Sequence, residues 1–569
     1  SWRSISFREF DETAREVAHG LLSLGLGKGD FVSLLSSNRP EWHIADVAVL
    51  MCGGATVPVY ITNSPPQVAH VVGHSESTIA IVEDDVQLAK IMETLPDLPK
   101  LKTIVVIEPG AGSSDERVLS LDKLRESGRR HAEGGSSELE ERIKSIKPED
   151  LATVVYTSGT TGPPKGVMLT HGGFAWTLHS VGGLLGFRDC EERMVSYLPL
   201  SHIFERLASD WGGICFGFEI WFSESVDKLR ENLKECEPTF FVGVPRVYEK
   251  FYSGVKGRYE THEKKELIAK AVKASLERVE LQQAGKPVPL GLRLKCKLFD
   301  KLIFSKTRHE LGMRHCRFAI TGAAPIMPEV IKFIHALGID LVEAYGQTET
   351  NAPTAVTPPG KARIGTVGPP IPGLELKFDE EGEILVRGPN VFKGYYKDPE
   401  ATAEAFTEDG FLRTGDLGEL DDHGYLRITD RKKDIIITAG GKNIAPQEIE
   451  GRLKTSPLIS QAVIIGDGRP FVSALLTLDA DAVTAWAKER GVEFGDVADL
   501  SADTTVLKAI EAEVERVNES LARAEQIKRW TVLPHDFTQD AEEITPTLKV
   551  RRKTITERYG DVIESMYVH

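Results

Sequence analysis

Tyr156-Thr-Ser-Gly-Thr-Thr-Gly-Pro-Pro-Lys-Gly166 is the stretch on which the reading of this chain turns. It follows an apolar run, Leu151 to Val155, so it leaves the end of a strand. Gly159, Gly162 and Gly166 let a backbone approach a ligand closely and adopt positive φ. Successive free N–H groups make a concavity for anions. Thr157, Ser158, Thr160 and Thr161 add four hydroxyls, and Lys165 adds a point charge suited to phosphate. Pro163 and Pro164 stiffen the loop and remove two donors. The pattern predicts a loop that grips a nucleotide polyphosphate. The bland alternative is a Gly/Pro-rich surface turn, which most such clusters are. Four hydroxyls ahead of a lysine weigh against it.

The loop is not a Walker A motif, because Lys165 is preceded by Pro164 and followed by Gly166. No G-x-G-x-x-G opens a helix, so a dinucleotide fingerprint is absent too. The ordinary kinase, GTPase and dehydrogenase folds are therefore disfavoured.

At 569 residues the chain is too long for one core and predicts two or more domains. Its apolar content of 41% and charged content of 27% are those of a globular protein. A net charge of −16 argues against a general nucleic-acid binder and against strong attraction to anionic membranes. The six cysteines form no C-x-x-C pair, which predicts reduced thiols in a cytosolic compartment. No signal peptide is visible. Ile44 to Ile61, the most apolar window, contains Asp46, Gly53-Gly54 and Pro58. It reads as helix, turn and buried strand, not as a membrane span.

Helical and strand patterns alternate along most of the chain. Phe7 to Leu24 reads as a helix, and Phe31–Leu35, Ile79–Val82 and Thr103–Ile107 read as strands. This predicts α/β architecture with largely parallel sheets. Glu108 to Asp150 is polar and charge-rich, a disordered or decorated connection. Phe251 to Arg293 reads as a charged helical surface with a buried stripe at Ile268, Val272, Leu276 and Val279. Short strands are expected between Gly373 and Gly394. After Asp430 a separate unit begins, with strands at Ala462–Ile465 and Ala474–Leu478. A long helix follows, with Leu507, Ile510, Val514, Val517 and Leu521 on one face. Trp211 to Phe222, rich in aromatics, is read either as the wall of an apolar tunnel or as a plain core strand.

Six further motifs carry polar chemistry. His202 lies in Leu198-Pro-Leu-Ser-His-Ile-Phe-Glu205; a lone histidine is more often structural than catalytic. Thr321-Gly-Ala-Ala-Pro325 puts small residues after a strand, where a flat ligand can lie against the backbone. Glu343-Ala-Tyr-Gly-Gln-Thr-Glu349 offers Tyr345 for stacking and Glu349 for Mg²⁺; a capped helix start explains each residue singly but not the cluster. In Thr414-Gly-Asp416 the carboxylate can accept from two ribose hydroxyls. Asp430-Arg-Lys-Lys-Asp434 and Gly440-Gly-Lys-Asn443 flank a short apolar run and otherwise read as a solvated linker. Pro546-Thr-Leu-Lys549 places one lysine on a loop in a basic tail.

In this order these motifs resemble the adenylate-forming superfamily of acyl-CoA synthetases, luciferases and peptide-synthetase adenylation domains. The resemblance covers nearly the whole chain. Asn38-Arg-Pro-Glu-Trp42 through Pro58-Val-Tyr60, and Pro245-Arg-Val-Tyr-Glu249, are most similar to the long-chain fatty acyl-CoA synthetases of bacterial type. The implied fold is α/β: a large N-terminal domain (1–429) of stacked α/β subdomains plus a β-rich subdomain, a hinge (430–434), and a small mobile α+β C-terminal domain (435–569).

The resemblance also implies roles. Thr157, Ser158, Gly159, Thr160, Thr161, Gly162 and Lys165 would hold the β- and γ-phosphates of ATP. Gly322, Ala323 and Ala324 with Glu343, Ala344, Tyr345 and Gly346 would line the adenine pocket. Thr348 would touch the α-phosphate, and Glu349, with Thr161, would bind Mg²⁺. Asp416 would hold the ribose, assisted by Arg431. Lys433 is the implied hinge residue, with Asp430 next. Lys549 would be the adenylation lysine and His202 would sit beside the acyl carboxylate. Gly440 and Gly441 would line the thiol route of coenzyme A. Where many relatives carry Ser-Gly-Lys, this chain has Thr547-Leu-Lys549, the pattern of the long-chain branch.

The implied activity is a long-chain fatty acid–CoA ligase using MgATP and coenzyme A. Fatty acid, ATP and CoA would be its small-molecule partners, with no nucleic acid. A cytoplasmic location, peripheral membrane contact for lipid supply and a homodimer are compatible with the resemblance. The nearest alternative is a fatty acyl-AMP ligase that passes the acyl group to a carrier protein. The alternative of another class is a catalytically silent lipid- or nucleotide-binding protein. Lys165, Glu349, Asp416 and Lys549 occurring together argue against silence.

Overall fold

The computed structural model describes every residue except 1, 111–112, 136, 158–162, 433–434, 440–441, 540, 546–548 and 569. An eight-stranded sheet organises the first part. Its order is Gly394–Tyr395, Lys165–Thr170, Leu151–Thr157, Ala55–Pro58, Phe31–Leu35, Ile79–Asp84, Thr103–Glu108 and Val118–Ser120. The strands from Leu151–Thr157 to Val118–Ser120 run parallel. They read as unbroken apolar runs because helices cover both faces. One core packs Val17, Leu21 and Trp42 below the sheet, and another packs Val68, Val72 and Ile91 above it.

The Glu108 to Asp150 stretch is folded, contrary to the disordered or decorated connection expected. It forms the strand Val118–Ser120 and the helices Leu121–Glu133 and Glu138–Ser145. Among its described residues, Leu121, Leu124, Gly128 and Leu139 are the buried ones, set among charged neighbours. The helix Phe7–Ser23, opened by a Ser6–Glu9 capping box, crosses Leu121–Glu133 at close range. A Cβ on Gly128 would overlap the Glu16 carbonyl, and one on Gly20 would sit 2.5 Å from the Leu124 carbonyl oxygen. The contact is made by backbone and glycine, which hydrophobic periodicity does not register.

A second sheet has the order Phe240–Gly243, Phe318–Thr321, Leu341–Gln347, Ala352–Val356, with the last strand antiparallel. The helices Pro245–Thr261 and Lys265–Gln283 pack beside it. Ile268 and Val279 of the predicted stripe are buried, and Val272 and Leu276 are half-buried. The short strands expected after Gly373 form an antiparallel sheet, Glu375–Phe378, Glu383–Arg387, Leu412–Leu420 and Leu426–Arg431.

Trp211 to Phe222 is not one strand. A helical segment, Arg206–Trp211 and Gly212–Phe216, turns at Gly217 into the strand Glu219–Phe222. Its aromatics serve separate neighbourhoods: Trp211 meets Phe174, Phe216 and Phe218 meet Phe187, and Trp221 meets Trp2. They do not build a single wall.

The C-terminal part has its own sheet, Ile459–Ile465, Val472–Leu478 and Ile527–Val532. The helix Thr504–Asn518 buries Val506, Ile510, Val514 and Val517 against it. It rests on the large part through Arg246, whose guanidinium lies 2.9 Å from Ser460 Oγ and 3.5 Å from Asp479, and through Gln67, which donates to Glu542 at 2.6 Å. Among the described residues no helix is long and apolar enough to cross a membrane.

Candidate active site

The strands Leu151–Thr157 and Lys165–Thr170, on either side of the predicted polyphosphate motif, pair as antiparallel neighbours with Thr157 opposite Lys165. Ser158, Gly159, Thr160, Thr161 and Gly162 lie outside the described residues. Lys165 opens the second of these strands. Its Nζ is 3.5 Å from Asp398 and 5.2 Å from the Tyr395 ring centroid. The Tyr395 hydroxyl donates to Glu349 Oε1 at 2.9 Å. Lysine, tyrosine and glutamate thus form one row across the site. The strand Gly394–Tyr395 makes this happen by pairing with Val167 and Met168.

Glu349 is half-buried on the turn that follows Leu341–Gln347. Burial pushes its carboxyl up, and the Tyr395 hydrogen bond and the charge of Arg431 pull it back in part. Such an acid carries its charge reluctantly, and a cation beside it would restore the charge. Thr348 is buried next to it.

The opposite side is a narrow slot between two turns. A Cβ on Gly322 would lie 2.9 Å from the Ala344 carbonyl oxygen. Ala323 has φ 70°, a left-handed conformation that costs a non-glycine residue energy. Gly346 sits at a bulge between Leu341–Gln347 and Ala352–Val356, and a Cβ there would overlap the Ala352 carbonyl. The Tyr345 hydroxyl donates to Asp416 Oδ2 at 2.7 Å, and Arg431 Nε lies 3.3 Å from Asp416 Oδ1. Asp416 and Arg431 face each other across Leu412–Leu420 and Leu426–Arg431. Glu343, half-buried at the start of the slot, is pushed up to about 8 by burial. Asp416 and Arg431 both act electrostatically on Glu349, so the Tyr345–Asp416–Arg431 cluster adjoins it.

His202 caps the short helix Ile203–Glu205, its Nδ1 accepting from the Phe204 N–H at 3.2 Å. Burial first, and then the charge of Lys549, hold the imidazole down at about 3. It is neutral, with its proton on Nε2. Lys549 acts on it by charge from the C-terminal part, where Ile544 bridges Val550 and Thr545 Oγ1 accepts from the Lys549 N–H at 3.0 Å. Asn38 fixes the approach to His202, donating to the Leu198 carbonyl at 2.5 Å and accepting from the Leu200 N–H at 3.2 Å.

Below His202 lies a buried charge network that sequence reading missed. Arg206 donates to Asp46 Oδ1 and to Thr153 Oγ1, both at 2.5 Å, between the rings of Trp42 and Trp211. Trp211 Nε1 donates to Asp46 Oδ2 at 3.0 Å. Burial works against the Asp46 charge, but Arg206 and its hydrogen bonds outweigh it. Burial first, and then the charge of Asp46, push the Asp210 carboxyl up.

The structure therefore brings Lys165 and Glu349 together through Tyr395, brings Tyr345 and Arg431 together at Asp416, and sets Lys549 where its charge acts on His202. Tyr395 and Asp398 were also missed. Their only sequence signal is the Gly394-Tyr-Tyr396 run, whose meaning depends on a pairing partner far upstream. Lys433, Gly440 and Gly441 lie outside the described residues.

Residues 1–396 match the family model of the AMP-binding enzymes, and 433–569 match the AMP-binding enzyme C-terminal domain. The chain is 38% identical to a long-chain-fatty-acid–CoA ligase, FadD15, of Mycobacterium bovis, over all of this chain and 92% of that protein. It is 35% identical to a long-chain-fatty-acid–CoA ligase, ACSBG2, of Xenopus laevis, over all of this chain and 80% of that protein. Among solved structures, the fold is shared with the A domain of a carboxylic acid reductase from Segniliparus rugosus in complex with AMP and a co-purified carboxylic acid. There the TM-score is 0.73 at 22% identity, covering 99% of this chain and 87% of that one.

Proposed function

The chain belongs to the AMP-binding enzyme family, and from that premise we propose how its residues work in an AMP-forming ligase of long-chain fatty acids and coenzyme A. A carboxylate is a poor acyl donor because its leaving group would be oxide. Attack of the carboxylate on the α-phosphorus of ATP gives acyl-AMP and pyrophosphate. The CoA thiol then attacks the acyl carbonyl and AMP leaves.

The first step brings two anions together, so its demand is for positive charge and hydrogen-bond donors already in place. Lys549 supplies the charge. His202, neutral and protonated on Nε2, is suited to donate to the acyl carboxylate without adding charge. Thr157 to Gly162 and Lys165 hold the pyrophosphate end, and Thr348 the α-phosphate. Gly322, Ala323 and Ala324, with Glu343 to Gly346, take the adenine. Asp416, ion-paired with Arg431, accepts from the ribose hydroxyls. The cation-ready carboxylate of Glu349 fits Mg²⁺, with Thr161 as a second ligand; when bound, Mg²⁺ neutralises phosphate charge.

The observation that supports this reading is the meeting of the Lys165–Tyr395–Glu349 row with the Tyr345–Asp416–Arg431 cluster in one site, beside which the charge of Lys549 from the C-terminal part acts on His202. This arrangement suits adenylation. Thiol transfer calls for a different surface. We assign the parts as 1–429 and 435–569, with a hinge at 430–434 that turns about Lys433, removing Lys549 and presenting Gly440 and Gly441 to CoA. Because a long-chain fatty acid partitions into lipid, the proposal includes a cytoplasmic enzyme with peripheral membrane contact. It also includes a homodimer, which light scattering checks: a single species at the chain's own 62.7 kDa would exclude it.

ATP–pyrophosphate exchange across a panel of fatty acids, repeated with CoA, tests the whole. Exchange that depends on a long-chain acid, followed by thioester formation, is the expected result. Exchange without thioester would mean transfer to a carrier protein, and no exchange with any acid would overturn the ligase reading.

A further inference from the structure

Outside the site, the most distinctive surface is a ridge of leucines. The helix Leu290–Phe299 continues through Asp300–Phe304 into Ser305–Glu310 as one helical run. Its inner face is core: Cys296, Phe299 and Phe304 are buried with Tyr259, Ala271 and Leu311. The outer face carries Leu290, Leu294, Leu298 and Leu302, which are 72%, 60%, 55% and 51% exposed. Residues four apart lie along one side of a helix, so these leucines form one line pointing away from the protein. Single exposed leucines are ordinary, but an aligned row is an interaction surface.

The flanks are basic. Arg293, Lys297 and Lys301 form the adjacent row, Lys295 lies on the other side, and Lys286 and Lys306 mark the two ends; all are exposed. From Lys286 to Arg317 there are nine lysines and arginines against two acids, in a chain whose net charge is −16. Both acids are already paired, Asp300 with Arg308 and Glu310 with Arg258. None of Arg293, Lys295, Lys297, Lys301 or Lys306 joins an ion pair among the described residues. An outward apolar row edged by uncommitted cations is the pattern of a helix lying in a lipid headgroup layer.

We infer that the run 290–306 docks the enzyme on a membrane containing anionic phospholipid, with the leucines entering the acyl boundary and the cations meeting headgroup phosphates. The overall negative charge then orients docking, because the rest of the surface is repelled. This deepens the fatty-acid ligase reading by placing the enzyme where its substrate is dissolved, although the docking itself stands on the helix alone.

The test is co-sedimentation of the full chain with vesicles of phosphatidylcholine, with and without phosphatidylglycerol, at low and high salt. The wild type should bind the anionic vesicles, more weakly at high salt and more weakly to phosphatidylcholine alone. Leu294→Ser with Leu298→Ser, and separately Lys297→Gln with Lys301→Gln, should each lower the partition by about tenfold or more. Pyrophosphate exchange with a water-soluble medium-chain acid should be unchanged in both, since these residues lie outside the site; that result also shows that the variants fold. Failure of the wild type to bind anionic vesicles, or equal binding by the variants, overturns the inference. So does a leucine-dependent dimer that ignores vesicles, which would make the row a contact between copies. Loss of exchange in the wild type would instead count against the ligase reading.

Discussion

Replacing Tyr395 by Phe removes one hydroxyl and little else, since the ring stays to face Lys165. The hydroxyl donates to Glu349 Oε1 at 2.9 Å. A hydrogen bond to a charged group contributes about 1.5–3 kcal/mol, and each 1.4 kcal/mol is about tenfold in affinity. If Glu349 acts as the carboxylate that meets Mg²⁺, the KM for MgATP should rise by roughly 10- to 150-fold while the KM for the fatty acid holds. The pH profile supplies a second reading. Burial raises the Glu349 carboxyl, and the Tyr395 hydrogen bond is among the effects that lower it. Without that bond the pKa climbs further, the ionised form is lost at a higher pH, and the acidic limb of kcat/KM for MgATP moves toward neutrality. Pyrophosphate exchange against MgATP concentration, measured across pH, reads both. An unchanged KM with an unmoved acidic limb would refute the reasoning and leave Tyr395 a packing residue.

Lys549→Ala should slow acyl-AMP formation by about 10²–10³-fold while sparing thioester formation from supplied acyl-AMP; equal loss of both half-reactions, assayed separately, contradicts a lysine that serves the first step alone. Arg206→Met strands Asp46 without its cation and should cost about 3–5 kcal/mol, seen as a drop of several degrees in the thermal midpoint; Arg206→Lys should recover little, because a point charge cannot reach Asp46 and Thr153 together. Gly346→Ala puts a methyl into the Ala352 carbonyl and should displace Tyr345 from Asp416, weakening AMP binding in a calorimetric titration by about tenfold or more; native affinity would show that the bulge yields freely.

The parts of the fold that read well from sequence are those where one physical signal dominates. The strands Phe31–Leu35, Ile79–Asp84 and Thr103–Glu108 are buried on both faces, and their apolar runs say so. The helix Thr504–Asn518 has a clean apolar face. The helices between 121 and 145 were hidden because glycine and backbone, not apolar side chains, make much of their contact. In the site, Tyr345, Asp416 and Glu349 were legible because each sits in a compact local motif. Arg206 was not, since its partners Asp46 and Thr153 come from distant elements and no spacing within one segment encodes the meeting. Tyr395 was missed for the same reason.

The pairing of Gly394–Tyr395 with Lys165–Thr170 also bears on how the chain is made. Until residue 396 has left the ribosome, the hairpin edge that carries Val167 and Met168 has no neighbour, and the Met168 and Gly166 carbonyls that accept from Lys393 and Tyr396 stay open. An unpaired edge with apolar side chains is a template for wrong partners, and contacts this distant in sequence form late. The first sheet can therefore collapse early from its parallel strands, yet its edge at Lys165–Thr170 is sealed by a segment made more than two hundred residues later. Nascent chains truncated just before 394 should be the ones that chaperones hold longest.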